Sequence, residues 1–147
     1  MKFKFPLQTV LGYRKTLEDI AQRDFQLAMA ALQAEIQILE QMEADKKAAR
    51  EQAFQTQVKG GAASTSLVQA ADYIKGQDLR LERQKAKIQE FEKRVEELRE
   101  ILRAKAIDYK IIEGLKDRQK EQFRIEQNKL EQKRADEGSV MRFRRAK

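Results

Sequence analysis

Apolar residues recur at alternating steps of three and four residues along most of this chain. In the second half, the series consists of Ile88, Phe91, Val95, Leu98, Leu102, Tyr109, Ile112, Phe123 and Leu130. This spacing is a heptad repeat, in which the apolar positions form one narrow seam on a long α-helix. Toward the C-terminus the seam becomes more polar, with Lys105, Lys116, Gln119 and Glu126 at the remaining positions. Because a helix cannot bury such a stripe alone, the pattern predicts that another helix packs along it.

A second series with the same spacing occupies the first half of the chain. It consists of Ala21, Phe25, Ala28, Leu32, Leu39, Met42, Ala49 and Ala53, with Glu35 and Lys46 as polar interruptions. Before it, Pro6 supplies the fixed φ and the missing N–H that a first helical turn tolerates. No residue that breaks a helix more strongly than Gly12 follows before residue 58. The spacing therefore predicts one continuous helix over residues 7–58.

The two series are separated by a short segment that is rich in small residues. Gly60 and Gly61 free the backbone to reverse direction, so we expect a hinge at residues 59–65. Ser66, followed three residues later by Gln69, forms a capping-box pattern that starts the next helix. The second helix is predicted over residues 66–136, with Gly138 as its stop and a basic tail at 137–147.

A hinge this short makes the two helices antiparallel. The predicted fold is all-α, with two long helices forming an antiparallel coiled-coil hairpin as a single domain over residues 1–147. Folding about the hinge gives a register in which paired residue numbers sum to roughly 124. It places Leu11 near Ile112 and Lys46 near Asp78. Because the second helix is longer than the first, the same register leaves three apolar residues of the second helix uncovered, namely Phe123, Ile125 and Leu130.

Composition narrows the class of protein. Charged residues make up 37% of the 147 residues and aromatic residues 7%, with one proline and no cysteine, histidine or tryptophan. This profile is typical of long helices, and it leaves no histidine or cysteine for metal binding or nucleophilic catalysis. We therefore expect no enzymatic activity and no cofactor. The absence of cysteine suits a reducing compartment, and no apolar run has the length of a signal peptide or membrane span, which indicates a cytoplasmic protein.

The net charge of +7 is unevenly distributed. Residues 1–58 contain eight basic and eight acidic side chains, so the whole excess lies later in the chain. It peaks in the tail, where four basic residues surround Phe143: Arg142, Arg144, Arg145 and Lys147. This cluster is consistent with an acidic partner surface, a membrane or nucleic acid, and equally with a solvated, frayed chain end.

Several stretches resemble the FliJ proteins of the bacterial flagellar export apparatus. The opening Phe3-Lys4-Phe5-Pro6-Leu7, with Val10-Leu11, Arg14 and Glu18, is similar to the start of that family. Residues 67–81, including Tyr73-Ile74, resemble its second-helix opening, and Asp136-Glu137 followed by Met141-Arg142-Phe143 resembles its finish. The order, spacing and total length of these stretches extend the resemblance over the whole chain.

The resemblance implies a function. FliJ proteins are two-helix antiparallel coiled coils similar to the gamma stalk of rotary ATPases. They act with the hexameric export ATPase FliI and the export gate protein FlhA. The resemblance thus implies a non-enzymatic central stalk that promotes ATPase ring assembly or activity and links the ring to the gate. It would lie in the cytoplasm, peripheral at the inner membrane, with export chaperones as further partners and no small-molecule substrate.

The positions that match this role fall into two groups. On the ATPase side, the candidate residues are Arg14, Phe123, Arg124, Leu130 and Arg134. On the gate side, the candidates are Tyr73 and Gln77, interpreted as two surface positions one turn apart. The alternative for Tyr73 is that it only pads the end of the coil.

Two other functions compete with the stalk. An export or assembly chaperone could use exposed apolar ends to hold unfolded clients. A nucleic-acid-binding coiled coil could use the basic tail, but acidic residues are interspersed and few aromatic residues are available for stacking. Nucleic acid binding therefore ranks well below the stalk.

Overall fold

Two helices account for nearly all of the structure. The computed structural model describes residues 1–59 and 64–146. Helix α1 comprises Gln8–Val58 and helix α2 comprises Ser64–Ala146, and no strand occurs within the described ranges. Most of the predicted hinge, residues 60–63, lies outside the described residues.

Helix α1 starts two residues after Pro6, at Gln8. The carbonyl of Phe5 accepts a hydrogen bond from the Gln8 N–H at 3.2 Å, and the carbonyl of Leu7 accepts one from the Leu11 N–H at 2.9 Å. At the other end, the Lys59 N–H donates to the carbonyl of Gln55 at 3.1 Å. The observed helix, Gln8–Val58, differs by one residue from the range 7–58 expected from the sequence.

Helix α2 is longer than expected, beginning at Ser64 and continuing through Gly138 to Ala146. The predicted stop at residue 136 is therefore wrong, and residues 137–146 are not a separate non-helical tail. Glycine ends a helix when its φ is positive, and Gly138 does not have a positive φ. The last turn contains Arg144 and Arg145, whose positive charges interact favourably with the carbonyl end of a helix.

The chain divides into two compact units, each of which contains part of both helices. Unit 1 comprises Met1–Ile20 and Arg103–Lys147, and unit 2 comprises Ala21–Leu102. The core of unit 1 is a cluster of Phe5, Leu11 and Ile112, against which three partly buried residues pack: Phe3, Tyr109 and Leu115. The cluster confirms the prediction that Leu11 lies near Ile112.

In unit 2 the core follows the predicted seam. The buried apolar residues are Ala21, Leu81, Ile88, Val95 and Leu98. Lys46 forms an ion pair with Asp78, as the register predicted. The guanidinium of Arg99 lies 5.6 Å from the centre of the Phe25 ring, which also agrees with a sum of 124. The two helices of unit 2 are therefore antiparallel and in the predicted register.

In unit 1 the two helices also pair in an antiparallel direction. The Lys116 ammonium donates to Oε1 of Gln8 at 2.9 Å, and the Lys15 ammonium lies 5.1 Å from the centre of the Tyr109 ring. Both pairs match the predicted sum of 124. Decreasing numbers in α1 meet increasing numbers in α2, so this unit is also an antiparallel helix pair.

Candidate functional site

The segment before α1 covers part of α2 that was expected to be free. The ring of Phe3 lies 5.6 Å from the ring of Phe123, with the planes tilted by 50°. Phe123 is half-buried as a result. The prediction that nothing in the chain covers Phe123 is therefore wrong. An extended residue spans about 3.3 Å whereas a helical residue spans 1.5 Å, so the residues before Pro6 reach further along α2 than the helical register allowed.

Arg14, a candidate for the ATPase side, already has a partner within unit 1. Its Nη1 donates a hydrogen bond of 2.8 Å to the backbone carbonyl of Asp108. The side chain is half-buried and connects α1 to α2. This hydrogen bond links the two helices of unit 1.

Arg124 is exposed and paired within its own helix. Its Nε and Nη2 donate to the two carboxylate oxygens of Glu121 at 3.0 and 2.6 Å. The hydrogen bond from Arg124 lowers the pKa of Glu121, and the same bond raises the pKa of Arg124. Both groups therefore stay charged, and the guanidinium presents a neutralised pair rather than a free cation to a partner.

Leu130 and Arg134 are also exposed on the predicted ATPase side. Leu130 is 48% exposed, and Arg134, one turn further along α2, is also exposed. Ile125 is exposed as well, at 37%. The prediction of an uncovered apolar surface on α2 therefore holds for Ile125 and Leu130 but not for Phe123.

Unit 1 also has an exposed apolar surface that the sequence reasoning missed. We call it the apolar flank, and it consists of Tyr13, Ile20, Ile107 and Ile111. Tyr13 follows the seam residue Leu11 by two positions, and Ile111 follows the seam residue Tyr109 by two positions. In an antiparallel helix pair, such equivalent positions lie on the same side of the two helices. The signal was present in the sequence as apolar residues outside the seam, since a step of two residues turns a helix by about 200°.

In unit 2 the two gate-side candidates differ in accessibility. Tyr73 is 48% exposed, but the Gln77 side chain is buried, with only 5% of the residue exposed. The interpretation of Gln77 as a surface position is therefore wrong. Extending the heptad spacing backward from Ile88 through Leu81 gives residue 77 as a seam position. The Gln77 side chain is hydrogen-bonded to both neighbours. Its Nε2 donates to the Tyr73 hydroxyl at 3.4 Å, and its Oε1 accepts from Nη1 of Arg80 at 3.2 Å.

An open groove of about 590 Å³ lies next to Tyr73. Small side chains from both helices of unit 2 form its walls, among them Ala48, Ala49, Ala53 and Ala70. Alanine at facing positions leaves space that larger seam residues would fill. Tyr73 therefore stands at the edge of a shallow depression rather than on a flat surface.

The polar interruptions of the first series are paired across unit 2. Nε2 of Gln84 donates to the carboxylate of Glu35 at 2.7 Å and to the Glu35 carbonyl at 2.9 Å, and the Lys87 ammonium lies 3.2 Å from the same carboxylate. The Gln84 hydrogen bond, followed by the contact with Lys87, lowers the pKa of Glu35. The hydrogen bond from Lys46 likewise lowers the pKa of Asp78. These groups are structural contacts between helices.

Neither a metal-binding cluster nor a membrane-spanning helix is found in the described part of the chain. Across residues 1–59 and 64–146, no group of three or more acidic side chains is placed to hold a metal ion. In the same ranges, no helix has an apolar stretch long enough to cross a bilayer.

These observations define an all-α protein, in which two long helices pack as an antiparallel coiled-coil hairpin. The sequence model of the family described as "Flagellar FliJ protein" matches residues 3–147. The chain belongs to the FliJ family, which is a structural component of the type III export apparatus.

The solved structures include a similar fold. A protein from Chlamydia trachomatis, CT670, whose structure is described as that of a YscO homolog, superposes with a TM-score of 0.63. The two chains share 19% sequence identity, and the match covers 95% of this chain and 94% of CT670. At that identity the similarity shows the fold alone. No curated protein sequence matches this chain.

Proposed function

We propose that this chain is the non-enzymatic central stalk of the flagellar export ATPase complex, where it promotes assembly or activity of the FliI ring. Unit 1 would contact the ring, and unit 2 would contact the export gate protein FlhA. In this role the protein would lie in the cytoplasm at the inner membrane. The observation that carries the proposal is the exposed pair of Leu130 and Arg134 on α2, beyond the point where Phe3 covers Phe123.

Exposure and charge support the assignment of unit 1 to the ring. Leu130 offers an exposed apolar side chain, and Arg134, one turn further along, offers a guanidinium, a group that is enriched at interface hot spots. The apolar flank adds a second surface of the same kind in the same unit. Phe123 is a poor test position, because replacing it also breaks its contact with Phe3.

The test measures ATP turnover by the cognate FliI with the full chain added. Leu130→Asp should reduce the stimulation at least about ten-fold, because it removes an apolar anchor and places a carboxylate in a desolvated contact. Leu79→Asp is the matched control, since Leu79 is 62% exposed and lies in unit 2. Full stimulation by Leu130→Asp, or equal loss with Leu79→Asp, would contradict the assignment of Leu130.

For the gate, Tyr73 is the candidate contact residue. It is exposed at the edge of the alanine-lined groove, and its hydroxyl is oriented by the buried Gln77. Tyr73→Ala should weaken binding to the cytoplasmic part of FlhA, measured by calorimetry, without changing FliI turnover. The control is Ile101→Ala, at another exposed apolar residue of unit 2. Unchanged FlhA affinity for Tyr73→Ala would refute this part of the proposal.

The apolar flank also favours a second candidate function, that of an export chaperone. Exposed Tyr13, Ile20, Ile107 and Ile111 could hold an apolar segment of a client. A chaperone would suppress aggregation of an unfolded export substrate in the absence of FliI, and Ile107→Asp with Ile111→Asp would abolish that suppression. The stalk function predicts neither the suppression of aggregation nor its loss in this double variant.

A further inference from the structure

The final turns of α2 carry an excess of positive charge. After Glu137 the sequence contains four basic residues and no acidic residue. Two of them, Arg144 and Arg145, lie in the last turn of the helix. Since α2 continues to Ala146, these side chains have fixed positions around a helix.

Exposed apolar side chains lie among these arginines. Val140 is 50% exposed and Met141 is 62% exposed. At 100° per residue, positions 140, 141, 144 and 145 fall within an arc of about 140° on the helix. We call these four residues the arginine–apolar patch. Arg142 lies about 60° beyond this arc, and its Nη2 is 3.8 Å from the place that a Cβ on residue 138 would occupy.

We propose that the arginine–apolar patch binds the surface of a bilayer that contains anionic phospholipids. A helix that combines exposed apolar residues with arginines on one side can place the apolar groups at the acyl boundary and the guanidinium groups among the headgroup phosphates. Charge complementarity identifies the ligand, because the patch contains two cations, and anionic lipid headgroups attract basic side chains near the surface. The inference goes beyond the stalk function and does not depend on the contact with FliI.

The shape of the patch favours a membrane over other acidic partners. The four side chains lie on one convex helix, and a stable protein interface buries about 800 Å² on each partner, far more than two helical turns provide. A fluid surface needs no such matching shape. Nucleic acid would use the arginines but would leave Val140 and Met141 exposed to water. If Arg144 and Arg145 only stabilised the end of the helix, replacing them would lower helicity and leave lipid binding unchanged.

The test is flotation of the full chain with vesicles of phosphatidylcholine and phosphatidylglycerol, compared with vesicles of phosphatidylcholine alone. The protein should float with the anionic vesicles only, and high salt should weaken binding by screening the arginines. Each basic side chain near an anionic surface contributes about five-fold in partitioning, so Arg144→Gln with Arg145→Gln should weaken binding roughly 30-fold. The matched control is Arg23→Gln with Arg83→Gln, which removes two exposed arginines of unit 2.

Several results would overturn the proposal. Equal binding by the patch variant and its control would show that only net charge matters. Binding to a DNA or RNA oligonucleotide that depends on Arg144 and Arg145, without binding to vesicles, would assign the patch to nucleic acid. If the arginine variant loses helicity by circular dichroism, Val140→Gln with Met141→Gln decides, because it keeps every charge. Unchanged vesicle binding by that second variant would overturn the proposal.

The same variants separate this inference from the proposed function. Stimulation of FliI in solution without lipid should be unaffected by Arg144→Gln with Arg145→Gln, whereas Leu130→Asp should reduce stimulation at least about ten-fold and leave vesicle binding intact. The two proposals can therefore be refuted independently of each other.

Discussion

Replacing Phe3 by alanine should destabilise unit 1, although Phe3 precedes the first helix. Its ring packs against the core cluster and lies 5.6 Å from the ring of Phe123. A fully buried phenylalanine costs about 3–5 kcal/mol when truncated to alanine, and Phe3 is only half-buried, so we expect about 2 kcal/mol. Within that total, a tilted aromatic pair contributes about 0.5–1.5 kcal/mol beyond the buried area.

A double-mutant cycle isolates the contribution of the ring pair. Phe3→Ala, Phe123→Ala and the double variant are unfolded with urea, and the free energy of unfolding is followed by circular dichroism. The two substitutions should be non-additive by about 0.5–1.5 kcal/mol. Phe54→Ala is the control, since Phe54 is exposed and lies in unit 2, and it should add independently to Phe123→Ala. Additivity of Phe3→Ala and Phe123→Ala within about 0.3 kcal/mol would refute the contact.

Three further predictions concern the cores and the ion pairs. Leu11→Ala should lower the free energy of unfolding by about 2–4 kcal/mol in urea denaturation, because Leu11 is buried in the cluster of unit 1. Gln77→Leu should raise it by about 1 kcal/mol, since an apolar side chain replaces a buried amide at a seam position, and a lower value would contradict the assigned burial. In the folded protein the pKa of Glu35 lies below its ordinary value of 4.5, and the pKa of Asp78 lies below its ordinary value of 3.8. The two carboxylates therefore stabilise the fold at pH values above these ordinary values, and this stabilisation is lost as the pH falls through the lowered pKa values. The Tm should therefore fall in that acid range, and less steeply in Glu35→Gln with Asp78→Asn.

The pairing of the helices could be predicted because two independent signals agree. The heptad spacing identifies which side of each helix is buried, and the short segment between the helices fixes which residues meet. The pair Lys46 and Asp78 and the neighbours Leu11 and Ile112 followed directly from these signals. Both depend on regular helical geometry, and that geometry holds throughout α1 and α2.

The predictions from the sequence were wrong mainly at positions where heptad spacing alone does not determine the structure. Phe3 reaches Phe123 because the chain before Pro6 is extended, and a register counted in helical residues cannot represent that reach. Gly138 remains helical because a glycine is a stop only when its φ is positive, which the sequence does not reveal. Gln77, in contrast, could have been placed correctly by continuing the heptad backward.

The candidate contact residues were harder to predict than the fold. Arg14 and Arg124 were selected by position, and both have intramolecular partners, the Asp108 carbonyl and the Glu121 carboxylate. A sequence lists cations but does not show which of them are already paired. Leu130 and Arg134 remain as accessible candidates, because exposure at these positions follows from the greater length of the second helix.

The cross-helix pairs of Glu35 with Gln84 and of Lys46 with Asp78 limit how the chain can change in length. Removing seven residues from α1 between Lys46 and Val58 would keep its apolar stripe in phase, yet it would shift both pairs of polar partners apart by about two turns. A matched deletion in α2 before Asp78 would restore both pairs. Natural length variants and engineered chimeras of this hairpin should therefore gain or lose whole heptads in both helices together.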